Sequence, residues 1–147
     1  MKKIALAIAA ACIASAPNVL AADTNTPAAQ KKRVLLDLST AALIDAAAAR
    51  TLVGDAIPPS VWRLYPAAKW GFISQVEGGF TSDKICVVTA RVMLAPLTVT
   101  NGLIMRPVKS AMAFDARPNA THDECKAIAR TKLREAADGV VSSLVKQ

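Results

Sequence analysis

Histidine is almost missing from this chain: His122 is the only one in 147 residues. Nucleophilic triads, acid–base pairs and most metal sites draw on imidazole, so each would have to be built around that one side chain. His122 sits beside Asp123 and Glu124 and just before Cys125, at the predicted start of a helix, where carboxylates are explained by the positive end of the helix dipole. No Gly-x-Ser-x-Gly elbow occurs, which removes the commonest serine-hydrolase arrangement. Gly78-Gly79 lacks the lysine and hydroxyl that follow a phosphate-cradling loop, and it reads as a turn or bulge. Paired carboxylates for glycoside hydrolysis would have to come from Glu77, Asp83 and Asp115, which fall at predicted strand ends and turns, where acidic residues are ordinary. Nothing here calls for catalysis, a cofactor or a metal. No apolar stretch reaches the ~20 residues of a spanning helix either, so a transmembrane segment beyond the N-terminal leader is not expected.

What the chain does have at its start is an export signal. Lys2 and Lys3 precede an apolar run from Ile4 to Ile13, and small residues around Ala21-Ala22-Asp23 supply a cleavage zone, so residues 1–22 read as a signal peptide. A lesser alternative is lipidation at Cys12, behind Ala9-Ala10-Ala11, although the apolar run before it is short for that signal and the preferred leucine is missing. The Lys-Lys start and alanine-rich core have a bacterial character, which places the mature chain in the periplasm or outside the cell. Removing the signal takes Cys12 with it and leaves Cys86 and Cys125 as the only thiols; one disulfide between them is the natural expectation in an oxidising compartment. Asn119-Ala120-Thr121 matches a glycosylation sequon, but Thr121 has a helix-capping role and the match reads as accidental.

Residues 23–33 are polar, include Pro27 and have no large apolar side chain before residue 33, so they read as a flexible leader. Residues 34–147 are then one α+β domain: an N-terminal helix, a three- to four-stranded antiparallel sheet and a C-terminal helix packed on it and tied by the disulfide. The first helix is expected to start near Val34 or Leu38, capped by Asp37, Ser39 or Thr40, and to run through Leu43, Ile44, Ala47 and Leu52 to a stop at Gly54. Pro59 suits the first turn of a short helix carrying Val61, Trp62, Leu64 and Tyr65 before Pro66 ends it. From Trp70 the period becomes two. Ile85 to Leu94 is the strongest strand, with Cys86, Val88, Ala90, Val92 and Leu94 on one face and Arg91 on the more solvated one. Leu103 to Phe114 supplies a further strand that Pro107 confines to an edge or a bulge. Thr121 and Glu124 form a capping box, and the helix beyond it puts Cys125, Ile128, Ala129, Leu133, Ala136, Val140, Val141 and Leu144 on one stripe facing the sheet.

The formal net charge is +7, and without Lys2 and Lys3 the mature chain keeps 16 basic against 11 acidic residues, or +5. That balance suits contact with acidic proteins, acidic polysaccharide or anionic lipid head groups, leaves room for peripheral membrane contact, and makes nucleic acid an unsuitable target for an exported protein. The scarce aromatics are clustered: Trp62, Tyr65, Trp70, Phe72 and Phe80 follow a stretch of 61 residues with none. A small domain that builds its core there is the plainer explanation. As a partner-binding surface the cluster would combine Trp62, Arg63, Tyr65, Trp70, Arg91 and Arg106, with Lys69 nearby in sequence. The function expected is therefore a small exported, non-enzymatic binding protein, such as an inhibitor, an immunity protein or an accessory of envelope assembly, whose partner is another envelope or secreted protein. The alternative is a carrier of an apolar small molecule held between sheet and helix by Met93, Met105, Met112 and Phe114. An envelope-acting hydrolase ranks behind both.

Overall fold

A computed structural model describes residues 33–145, so the expected signal peptide, the Cys12 alternative and nearly all of the expected leader lie outside the described residues. The elements run β1 (Leu35–Asp37), α1 (Ala46–Ala56), α2 (Pro59–Leu64), β2 (Trp70–Phe80), β3 (Ile85–Pro96), β4 (Lys109–Pro118) and α3 (His122–Val145). The strands form one sheet in the order β1-β2-β3-β4. Their pattern decides which side the helices cover. Along β3 the residues Cys86, Val88, Ala90, Val92 and Leu94 are all fully buried, and they share one core with Phe72 and Val76 of β2 and with Ile128, Leu133, Ala136 and Val140 of α3. Period two on the strand and 3.6 on the helix bring the two apolar faces together. No helix of the described residues is long and apolar enough to cross a membrane.

The disulfide joins these two layers, with Cys86 and Cys125 at a Cα–Cα distance of 5.8 Å and both side chains buried. Its position follows from the capping box one turn earlier. Thr121 N–H donates to Glu124 Oε2 at 2.7 Å, Glu124 N–H donates to Thr121 Oγ1 at 3.2 Å, and the helix so started delivers Cys125 to the sheet. Gly139 lets α3 lie close over β4: a Cβ there would stand 3.0 Å from Ala111 Cβ.

Four expectations are corrected. The segment after Val34 is a strand, and the first helix begins later, at Ala46, with Asp45 as its cap accepting from Ala48 N–H at 2.8 Å. Leu35, Leu36 and Asp37 instead pair in parallel with Phe72, Ile73 and Ser74, so the sheet is mixed. The Asp37 carboxylate, which was a cap candidate, accepts from Ser39 Oγ at 2.7 Å and Ser74 Oγ at 2.6 Å and clips β1 onto β2. Second, the helix passes through Gly54 and ends at Ala56, with Ile57 as its C-cap. Third, Gly78 and Gly79 make no turn; β2 continues through them to Phe80, paired with Val88, Val87 and Cys86. A Cβ on Gly78, whose φ is +135°, would sit 2.0 Å from Val87 O, so glycine is there because β3 approaches too closely for a side chain. Fourth, β4 starts at Lys109, after Pro107. Leu103 belongs to a loop that bridges to Leu97, and Val108 and Lys109 both oppose Leu94, the two-against-one arrangement of a β-bulge.

Candidate functional site: the open face of the sheet

The face of the sheet turned away from the helices is sealed at one end only. There Leu103, folded back by the 97–108 loop, packs with the buried Ile73, Met93 and Ala95 in a second small cluster. Beyond that cluster the cross-strand rows are Gln75–Arg91–Met112 and Glu77–Thr89–Phe114. Gln75 Nε2 donates to Glu77 Oε1 at 2.6 Å, and Arg91 reaches across to Met112 Sδ at 4.0 Å. Met112 and Phe114 are 61% and 59% exposed, although the residues between and beside them on the same strand, Ala111 and Ala113, turn inward against the core. Large apolar side chains at such exposure, on a strand whose other face is packed, leave their contribution to folding small.

The six residues nominated as a binding cluster are divided by the sheet. Trp62, Tyr65 and Trp70 pack against the main core on the helix side, Trp62 edge-on to the buried Phe72 at 5.4 Å between centroids and Tyr65 edge-on to Trp70 at 5.6 Å. Arg63 is exposed at the end of α2. Arg91 stands on the opposite, open face, and Arg106 is exposed in the 97–108 loop. The cation that does lie over Trp62 is Arg33, 5.3 Å from the ring centroid, which sequence spacing did not suggest because it precedes the first strand. Trp62 Nε1 is buried without a hydrogen-bond partner among the described residues. The apolar-carrier lining is also redistributed. Met93 is buried in the small open-face cluster, and Met112 and Phe114 are exposed on that same face, so these residues do not enclose a chamber between sheet and helix.

Among the groups considered for catalysis, Glu77 stands on the open face and accepts from Gln75. His122 lays its ring against Phe80 at 4.8 Å, Asp115 lies 3.8 Å from Lys132 Nζ, and both thiols are in the disulfide. Among the described residues no group of three or more His, Cys, Asp and Glu side chains is arranged so that it could hold a metal ion. Two carboxyls titrate below their ordinary values. The Ala48 N–H holds Asp45 below 3.8 and the Thr121 N–H holds Glu124 below 4.5, each at the start of a helix. Both shifts belong to capping and lie away from the open face.

No protein-family model matches the sequence, and no match was found among curated proteins. Among solved structures, the chain is similar to a PelC dodecamer from Paraburkholderia phytofirmans at 14% identity, covering 80% of this chain and 91% of that one with a TM-score of 0.43. It is also similar to a candidate lipoprotein from Caulobacter crescentus CB15 at 13% identity, covering 74% and 82% with a TM-score of 0.28. The chain itself is a small, disulfide-locked α+β domain with one sheet face packed under helices and the other largely open.

Proposed function

We propose that this chain is a small exported, non-enzymatic binding protein that works by surface complementarity toward another envelope or secreted protein, and that the contact surface is the open face around Arg91, Met112 and Phe114. The observation that carries the reading is the contrast across one sheet: β3 buries its helix-side face completely and β4 turns Ala111 and Ala113 toward the same core, while Met112 and Phe114, about 60% exposed, stand on the other face without serving the core. Apolar side chains beside an arginine form the kind of patch in which a partner gains contact area and orientation together. Export is supported by the N-terminal leader and by the disulfide, which persists in oxidising compartments.

The test is capture from an envelope extract by the wild-type protein and by the double variant Met112→Ser with Phe114→Ser. A protein retained by the wild type and lost by the variant is the expected result. Equal capture by both would move the contact surface elsewhere. Release of a bound lipid or other small molecule, with no protein retained, would favour the carrier function instead.

A further inference from the structure

Strand β4 closes the sheet, and among the described residues no strand pairs with its outer edge. The parity of its backbone is fixed by the bond that continues the β3–β4 ladder, Asn119 N–H to Lys84 O at 3.2 Å. In an antiparallel ladder alternate residues bond the same neighbour, so the odd-numbered residues from Lys109 to Arg117 bond β3. Ser110, Met112, Phe114 and Ala116 therefore turn their N–H and C=O groups outward. The same four place their side chains on the open face. A regular edge of this length is a ready template for another strand, and proteins usually defend such edges with lysine, proline or a covering loop. Here those defences stand at the ends, in the bulge at Val108–Lys109 and in Pro118, and the middle is bare. The opposite edge differs: β1 is only three residues long.

We propose that the outer edge of β4 pairs antiparallel with β4 of a second copy of this chain, about a two-fold axis through Met112. This deepens the reading of the open face as a binding surface, because it names the occupant of the edge and joins the open faces of two copies into one.

Charge selects the register. Only even-numbered residues of β4 face outward, so the axis can pass through an even-numbered residue or between two of them. An axis at Ala113 would set Lys109 against Arg117 of the second copy, like charges directly opposite. With the axis at Met112, Lys109 lies opposite Asp115 of the second copy, twice by symmetry, and the smaller Ser110 lies opposite Phe114. An axis at Phe114 forms no opposite-charge pair. The Met112 register thus satisfies the outward backbone groups and also matches charge.

The register makes a covalent prediction. Met112 meets Met112 of the second copy as a hydrogen-bonded pair with Cα atoms about 5.5 Å apart, inside the roughly 4.4–6.8 Å that a disulfide spans. The two copies of Phe114 are offset by four residues, about 13 Å along the strand. The protein exported from its full-length form is therefore prepared as wild type, Met112→Cys and Phe114→Cys, and run on non-reducing gels beside light-scattering mass measurements. The expected result is a wild-type mass twice that of one chain, with efficient covalent dimer from Met112→Cys and little from Phe114→Cys. Further variants read backbone and charge. Met112→Pro removes an outward N–H while leaving the inner ladder intact, so it should give a folded monomer. Lys109→Asp should weaken self-association at least tenfold, whereas Lys109→Arg, which keeps a cation opposite Asp115 of the second copy, should preserve it.

A wild-type protein that stays monomeric at high micromolar concentration overturns the pairing, as does a dimer that cross-links equally at both positions. Either result leaves the open-face reading intact if the Met112→Ser, Phe114→Ser variant still loses capture. A dimer with the predicted cross-linking and unchanged capture by that variant would uphold the pairing and sink the open-face reading alone.

Discussion

Neighbouring residues of β3 answer to different constraints. Val88, Ala90 and Val92 are fully buried under α3, whereas Val87, Thr89 and Arg91, each one position away, are partly or wholly exposed on the other side. On the first face the identity of each side chain is set by volume, because interiors are close-packed and a lost methylene is felt. On the second face nothing of that kind dictates methionine at 112 or phenylalanine at 114. The contrast teaches that the core of this domain and its proposed contact surface occupy opposite sides of one sheet, so substitutions can separate them.

The largest effect is expected from placing a charge on the sealed face. Val88→Asp would bury an unpaired carboxylate and should prevent folding, a loss above about 4 kcal/mol, whereas Thr89→Lys next to it, opposite Glu77, should leave the melting curve nearly unchanged; circular dichroism of both distinguishes them. Cys86→Ser comes next. The disulfide closes a loop over a sequence separation of 39, and its loss should cost about 4 kcal/mol, measured by denaturant titration; an unchanged midpoint would mean the cross-link does not hold the two layers together. Gly78→Ala should cost roughly 1–3 kcal/mol, because its φ of +135° and the Val87 carbonyl leave no room for a methyl group.

A smaller effect separates the helix caps from the open face by pH. Asp45 and Glu124 have folded pKa values below their ordinary 3.8 and 4.5, so their contribution is complete at neutral pH and is lost as pH falls below those ordinary values and through the lower folded ones. Glu124→Gln should therefore flatten part of the acid limb of stability against pH. Arg91→Gln on the open face should leave that limb as it is.

The parts of the fold legible in the sequence are those whose cause is local or periodic. Alternation along Ile85–Leu94 named the buried face of β3 residue by residue, Thr121 with Glu124 marked the start of α3, and the two thiols left after export named the disulfide. The three residues of β1 carry no period of their own; Phe72, Ile73 and Ser74, far along the chain, make them a strand, and Asp37 is drawn to Ser74 away from capping. Gly78 reads in the sequence as a turn or bulge because the cause of its presence, the Val87 carbonyl, is also nonlocal. The Asp37 carboxylate accepts from Ser39 N–H at 3.3 Å, a local bond that a turn and a helix cap share, so these two residues alone do not tell a turn from a helix start.

The candidate surface was legible only in fragments. Arg91 was placed on the solvated face of β3, and Met112 and Phe114 were singled out. Which side of the sheet lacks helices depends on how the layers pack, so the carrier reading puts Met93 and Met112 on the wrong side, and the binding cluster joins Arg91 to aromatics that pack on the other face.

Thermal unfolding of the Met112→Ser, Phe114→Ser double variant beside the wild type tests the division of the two faces most directly. The account predicts melting temperatures that agree within about 4 °C, since exposed substitutions away from special features change stability by roughly 0.5 kcal/mol or less. A fall of the size seen for a core truncation, ~10 °C or more, would mean that these side chains hold the fold together, and the open face would lose its standing as a surface free for a partner.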